Sequence, residues 1–346
     1  MSSTSPFSVR VVGAGVFGLA TALSLAEAGL KVRVVADVEP GRTASGVAAG
    51  MLAPAFETLL DPPGGDALDL LLTARDLWPE LAARLGLTLD RSGTAATGGA
   101  DWTDRLEAGF RARGLRIGRV GRSEMEAWLP GLNPRYAGGL LTPEDWRIEP
   151  RVALAAMAAR LAELGGILER RRLAPEDLRG ETGPVVLATG ADPALGAAAP
   201  ELQGLAPIKG QILWRGDLPP PARVIRTEGA YVLGSEGGVL AGATMEPGRR
   251  DLTADAGAQA GLRAAVGALL PDAPPEGWSA RAGVRAASAD GLPLAGSASQ
   301  PGVFLAVGAR RNGWLLAPLV AKIVTAAVTG EDAGPWAVRL DPARFG

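Results

Sequence analysis

Val9 to Val12 reads as a short buried strand, and Gly13-Ala-Gly-Val-Phe-Gly18 follows it directly. Apolar residues continue at helical spacing through Ala28, and Gly29 stands where a helix commonly ends in a left-handed residue. Lys31 to Ala36 alternates as a second strand. Strand, glycine turn, helix and strand in this order make the βαβ unit that opens a dinucleotide-binding sheet.

Further along, Ala67 to Leu85 and Trp102 to Arg113 repeat apolar residues at spacings of three and four, which predicts helices, the first kinked or split at Pro79. Pro150 starts another helix through Leu164, with Gly165-Gly166 after its end. Val185 to Ala188 is a short apolar strand running into Thr189-Gly190. From Pro207 the texture turns to strands at Gln211 to Trp214, Arg223 to Ile225, Ala230 to Leu233 and Val239 to Ala241, with Gly237-Gly238 as a hairpin turn. Thr253 to Leu269 reads as a helix, Val303 to Val307 as a buried strand and Trp314 to Thr329 as a last helix. The β-rich stretch is thus flanked by α/β material on both sides. The class is α/β: a Rossmann-like domain of discontinuous segments with an inserted α+β domain that contains an antiparallel sheet.

Composition narrows the chemistry. At 346 residues the chain is too long for one ordinary core. Its 35 basic and 37 acidic residues leave a net charge of -2 with no long Lys/Arg run, so nucleic acid is not an expected partner. The densest basic block, Arg170 to Arg172, is expected to face solvent near a helix end. Val11 to Ala26 after Arg10 mimics a signal peptide, but the fixed glycine offsets and the following strand favour the folded reading. Gly313 to Gly330 is interrupted by Pro318 and Lys322, so no membrane span is expected, and a cytoplasmic location is the default. The chain has no Cys and no His. Thiolate nucleophiles, cysteine-held clusters, Ser-His-Asp triads and imidazole metal sites are thereby excluded. Chemistry on so plain a side-chain set points to a cofactor.

Gly13, Gly15 and Gly18 form G-x-G-x-x-G between strand and helix. The first permits the turn, the second lets backbone approach a pyrophosphate, and the third allows close helix packing. Asp37, near the end of the second strand, is suited to accept a ribose hydroxyl, although Ala36 occupies the more usual position for that acid.

Three later blocks carry a family resemblance. Arg42-Thr-Ala-Ser-Gly-Val-Ala-Ala-Gly-Met-Leu-Ala-Pro54 looks like the segment after the second strand in glycine oxidases and related D-amino-acid oxidases. Pro207-Ile-Lys-Gly-Gln-Ile-Leu213 resembles that family's entry into its substrate-domain sheet. Gly283-Val-Arg285, Asp290-Gly-Leu-Pro293 and Arg311-Asn-Gly-Trp-Leu-Leu-Ala-Pro318 resemble its C-terminal signature. The blocks occur in the family's order between about residues 9 and 330.

The resemblance implies extended, non-covalent FAD; with no Cys or His, thiol and histidyl tethers are excluded. Gly13, Gly15, Val16, Phe17 and Gly18 are expected under the pyrophosphate, with Asp37 at the ribose. Arg42, Thr43 and Ser45, then Ala48, Ala49, Gly50 and Met51, would pass close to the cofactor. Leu173 reads equally as an adenine contact or a core residue, and Thr189-Gly190 ends a strand near the cofactor. Arg285, Arg311, Asn312, Gly313, Trp314 and Leu315 would complete the flavin site, the last helix offering N–H groups to a reduced flavin. Arg285 matches the family's carboxylate-binding arginine, Tyr231 a substrate-lining tyrosine and Met245 a pocket-wall residue, and Arg311 is placed to contact substrate, flavin or both.

The expected division puts the FAD-binding domain at 1–80, 148–205 and 283–346, and the substrate domain at 81–147 and 206–282. The implied activity is oxidative deamination of glycine, sarcosine or a small D-amino acid by hydride transfer to flavin, in the manner of glycine oxidases that serve thiamine biosynthesis. Molecular oxygen is the expected acceptor, yielding hydrogen peroxide. A dehydrogenase using another acceptor, and a flavin-binding protein without amino-acid turnover, are the alternatives. Self-association into a homo-oligomer is left open. Two departures bear on substrate: Ala309 stands where the family commonly has His, and Gly229 where it has a polar residue.

Overall fold

The computed structural model describes residues 8–61 and 66–345; residues 1–7, 62–65 and 346 of the expected domain ranges lie outside them. A six-stranded sheet runs in the order Leu294–Ser297, Val303–Val307, Val185–Leu187, Val9–Val12, Val32–Ala36 and Ile167–Arg170. All but the first are parallel to their neighbours. Val185–Leu187 is buried throughout and reads as an unbroken apolar run, while Val9–Val12 is buried except at the partly exposed Arg10. The helix Val16–Glu27 packs between this sheet and the last helix, Gly313–Thr329, and its apolar circumference follows from being covered all round.

Pro318 lies inside that last helix and cannot donate to the carbonyl of Trp314 four residues back. The fully buried Trp78 satisfies it instead, its Nε1 donating to Trp314 O at 2.9 Å and lying 3.3 Å from Leu315 O.

A second, nine-stranded sheet is mostly antiparallel. Its longest strand, Ala206–Arg215, pairs along one edge with Ser279–Ala287 and along the other with Gly238–Gly242 and Glu246–Pro247. Ala230–Ser235, Val224–Thr227, Thr94–Ala96, Gly138–Thr142 and Gly118–Gly121 continue it outward. Ser279–Ala287 runs unbroken through position 283 and so links the surroundings of the two sheets.

The split expected at Pro79 is found, since the pattern over 67–85 forms two helices, Leu68–Asp76 and Trp78–Arg84, with Pro79 in the first turn of the second. Several other expectations are corrected. The strand expected over 211–214 extends to 206–215, with Pro207 near its start and Gly210 at a close-approach site, positions a strand tolerates. The hairpin turn is Glu236-Gly237, both at positive φ, while Gly238 already pairs with Ser235. Arg170 to Arg172 lie at the end of a strand, not a helix, and pair with Glu39, Glu169, Asp177, Asp37 and Asp192. The helix Pro54–Leu60 escaped the pattern because its N-terminus is capped from afar: the Asp145 carboxylate accepts from Ala55 N at 2.8 Å and Phe56 N at 3.2 Å.

Candidate active site

The C-terminal ends of four parallel strands open onto a cavity of 530 Å³, the place where doubly wound sheets bind ligands. Gly13, Gly15, Val16, Phe17, Asp37, Arg42, Thr43, Ser45, Ala48, Leu173, Thr189 and Gly190 line it, together with Arg285, Arg311, Gly313 and Trp314. Gly13 has φ +111, and a Cβ there would stand 2.3 Å from Ala188 O. Gly18 and Leu315 do not line the cavity. A Cβ on Gly18 would lie 1.9 Å from Gly13 O, so Gly18 serves helix packing, and the Leu315 side chain is core. Leu173 both lines the cavity and packs in the apolar cluster behind it.

At the first helix, Val16 N donates to Ser45 Oγ at 3.0 Å, which leaves the N–H groups of Phe17 and Gly18 as the remaining donors of the first turn. Thr189 Oγ1 is buried without a hydrogen-bond partner among the described residues. Asp37 is held by Arg172 at 3.5 Å. Trp314 Nε1 donates to Ser45 O at 3.0 Å, tying the last helix to the segment 42–54. Ala309, 8% exposed, lies in the same cavity wall.

A second cavity, of 310 Å³, shares Ala44, Ala48, Gly283, Arg285, Arg311 and Trp314 with the first. It adds Ala49, Gly50, Met51, Tyr231, Met245 and Asn312 among the expected residues. Gly50, at φ +73, is pressed against Ile148 O, which a Cβ would approach to 2.0 Å. Gly229 has φ +80 in the tight turn between two strands, so its lack of a side chain answers a backbone requirement as well as widening the cavity.

The cavity's charges are arranged asymmetrically. Glu57 lies between Arg226, at 2.9 Å, and Arg311, at 3.3 Å; Arg311 also meets Asp61 at 3.0 Å, and Arg310 pairs with the same carboxylate. The Glu57 charge, aided by Asp61 against the opposing burial, raises Arg311 above the usual guanidinium range. Burial pushes Asp145, behind Glu57, up to about 7 against the opposing charge of Arg226. Arg285 has no carboxylate partner among the described residues. Its Nη1 lies 3.3 Å from Thr244 O and 3.3 Å from Met245 Sδ. Burial lowers its pKa, yet a guanidinium remains charged. Burial raises Tyr231 above the usual phenol range, the Arg285 charge only partly offsetting it, so the phenol stays a donor.

Two strand glycines make this arrangement possible. A Cβ on Gly210 would stand 2.3 Å from Arg285 Nη1, and one on Gly242 would stand 2.2 Å from the Tyr231 hydroxyl. Sequence reasoning missed both, along with Glu57 and Arg226. An isolated glycine inside a strand pattern marks close approach and was available for Gly210; nothing local marked Glu57 or Arg226.

The DAO family, FAD dependent oxidoreductase, matches the chain over residues 8–327. This chain belongs to that family.

Like other DAO-family members it is therefore an FAD-dependent oxidoreductase, and the larger cavity suits the cofactor: a glycine turn at a helix N-terminus, two first-turn donors and an orphaned threonine hydroxyl. The chain is 30% identical to a glycine oxidase of Pseudomonas aeruginosa, over 94% of this chain and 95% of that one. It is 32% identical to the tRNA 5-methylaminomethyl-2-thiouridine biosynthesis bifunctional protein MnmC of Caulobacter, over 99% of this chain and 58% of that one. The crystal structure of glycine oxidase from Geobacillus kaustophilus superposes with a TM-score of 0.82 at 28% identity, covering 98% of each chain. Among the described residues, no helix is long and apolar enough to cross a membrane.

Proposed function

We propose that this DAO-family enzyme carries out oxidative deamination of a small amino acid or amine, with glycine, sarcosine and small D-amino acids as its substrate class. One observation carries the reading. Among the described residues, Arg285 is the arginine of the smaller cavity without a carboxylate partner, and it stands in the wall shared by that cavity and the cofactor cavity. A substrate carboxylate completes that charge by bidentate pairing. Tyr231 supports the same anion as a neutral donor, and the Glu57–Arg226–Arg311 network lines the same cavity. The similarity to glycine oxidases supports the small-substrate assignment.

Bound FAD supplies a two-electron acceptor for the substrate Cα–H bond. The protein's part is to orient the carboxylate on Arg285, exclude water with apolar walls such as Ile212 and Met51, and hold charge where it develops. The substrate loses two electrons and two protons to become an imine, which water hydrolyses to the oxo acid and ammonia, or methylamine in the case of sarcosine. Molecular oxygen taking the electrons yields hydrogen peroxide. In the same reading, residues 1–80, 148–205 and 283–346 form the FAD-binding domain and 81–147 and 206–282 the substrate domain.

The test is a peroxide-coupled panel of kcat/KM for glycine, sarcosine, D-alanine, D-proline and D-phenylalanine. A small substrate leading the panel supports the proposal. A clear lead for D-phenylalanine overturns the small-substrate part. No turnover of any member, with oxygen or with an artificial electron acceptor, overturns the reaction class.

A further inference from the structure

We propose that the segment Thr244–Asp255 is a rigid strap that retains FAD, with Arg250 and Leu252 as cofactor-contacting residues and Lys209 as its anchor. The inference rests on FAD occupying the larger cavity and is independent of which amine the enzyme oxidises. The segment leaves the second sheet beside Arg285, where Met245 Sδ lies 3.3 Å from the guanidinium. It then reaches the other cavity, whose lining includes Arg250 and Leu252. Arg250 Nη1 donates to Ala191 O, in the loop that follows Val185–Leu187. A loop of one sheet is thereby latched onto the strand-end loop of the other, across the cofactor cavity.

What distinguishes this segment from an ordinary surface loop is its attachment. Lys209 is fully buried, and its Nζ donates to Asp251 Oδ1 at 2.7 Å and to Thr253 O at 2.6 Å. A buried ammonium is costly unless paired, and both short contacts lie on the segment's outer part; its remaining carboxylate neighbour, Glu246 at 3.8 Å, belongs to the same segment. Gln211, also fully buried, holds the two ends. Its N–H donates to Thr244 Oγ1 at 2.8 Å, and its Oε1 accepts from Asp255 N at 2.8 Å. Arg249 braces Asp251 from outside at 2.7 Å. With both ends and the middle fixed, Arg250 and Leu252 are presented at a set position. Leu252 is 62% exposed, a poor choice for a loop that faces only water, and it gains an apolar partner when cofactor fills the cavity it lines. Arg250 has guanidinium donors beyond the one given to Ala191, and these suit the anionic portion of FAD.

The test is titration of apoprotein with FAD, followed by flavin fluorescence, with the thermal midpoint of each apoprotein measured beside it. The Arg250→Ala/Leu252→Ser variant is expected to bind FAD about tenfold or more weakly, the scale of one lost apolar contact and one charge-assisted bond. Its apoprotein midpoint stays at the wild-type value, because both side chains are exposed. Val338→Ser, at a still more exposed apolar position far along the chain, retains wild-type affinity. An Arg250→Ala/Leu252→Ser affinity within twofold of wild type overturns the strap. Lys209→Met is expected to weaken FAD binding in the same direction; a lower apoprotein midpoint with unaltered FAD affinity overturns the anchoring role. Failure of the amine panel leaves these readings unaffected, since no substrate enters the titration.

Discussion

The guanidinium of Arg285 rests on the bare backbone of Gly210, so close that a Cβ there would stand within 2.5 Å of its Cζ. Ile208 pairs with Arg285 in the register of the two strands and Gly210 with Gly283, so arginine and glycine lie two rungs apart and on the same face of the sheet. Gly210→Ala therefore pushes on the far end of a flexible side chain rather than on backbone. The variant is expected to fold with its thermal midpoint little changed and to lose activity by raising KM for a carboxylate substrate. Wild-type KM would separate Gly210 from the site.

Arg285→Ala removes the one positive charge of the smaller cavity that has no carboxylate partner among the described residues. A lost charge-assisted partner costs about 2–5 kcal/mol, so kcat/KM for the best amino acid should fall by roughly two orders of magnitude. FAD content, read from the visible spectrum of purified protein, should stay near wild type. Arg285→Lys should recover only part of the loss, because an ammonium cannot make the planar two-point contact.

With no Cys and no His in the chain, acid precipitation should release the flavin into the supernatant. Yellow colour remaining in a washed pellet would show a covalent link through another side chain.

Asp61 gives a pH signature. Burial raises it, but the hydrogen bonds and charges of Arg310 and Arg311 outweigh burial and hold it below its ordinary 3.8. A depressed folded pKa contributes stability that is present above 3.8 and lost as pH falls through the folded value. The midpoint difference between wild type and Asp61→Asn should therefore be level from about pH 5 upward and shrink below about pH 4. A difference that grows on acidification would contradict the pairing.

Local signals made the cofactor half of the molecule legible. Gly13, Gly15 and Gly18 answer to backbone geometry within one turn, and a parallel strand buried on both faces leaves an unbroken apolar run at Val185 to Leu187. The strand Val303–Val307 and the helix ending at Thr329 lie where periodicity puts them. Gly118–Gly121 left no such trace, being an exposed, glycine-rich strand whose only reason to be extended is its partner Gly138–Gly139-Leu-Leu.

The sequence alone determined that a dinucleotide turn is present, that no thiol or imidazole takes part, and that Arg285, Tyr231 and Met245 are candidates by resemblance. Only the tertiary structure decided that Arg285 lacks a carboxylate partner among the described residues while Arg226 and Arg311 share Glu57, because those partners are 169 and 254 residues apart in the chain. It likewise decided that Lys209, buried in a strand, reaches 42 residues onward to Asp251 and holds a loop over the other sheet's cavity. Hydrogen-bond periodicity is written in nearest neighbours; whether a charge is paired depends on which distant element folding brings against it.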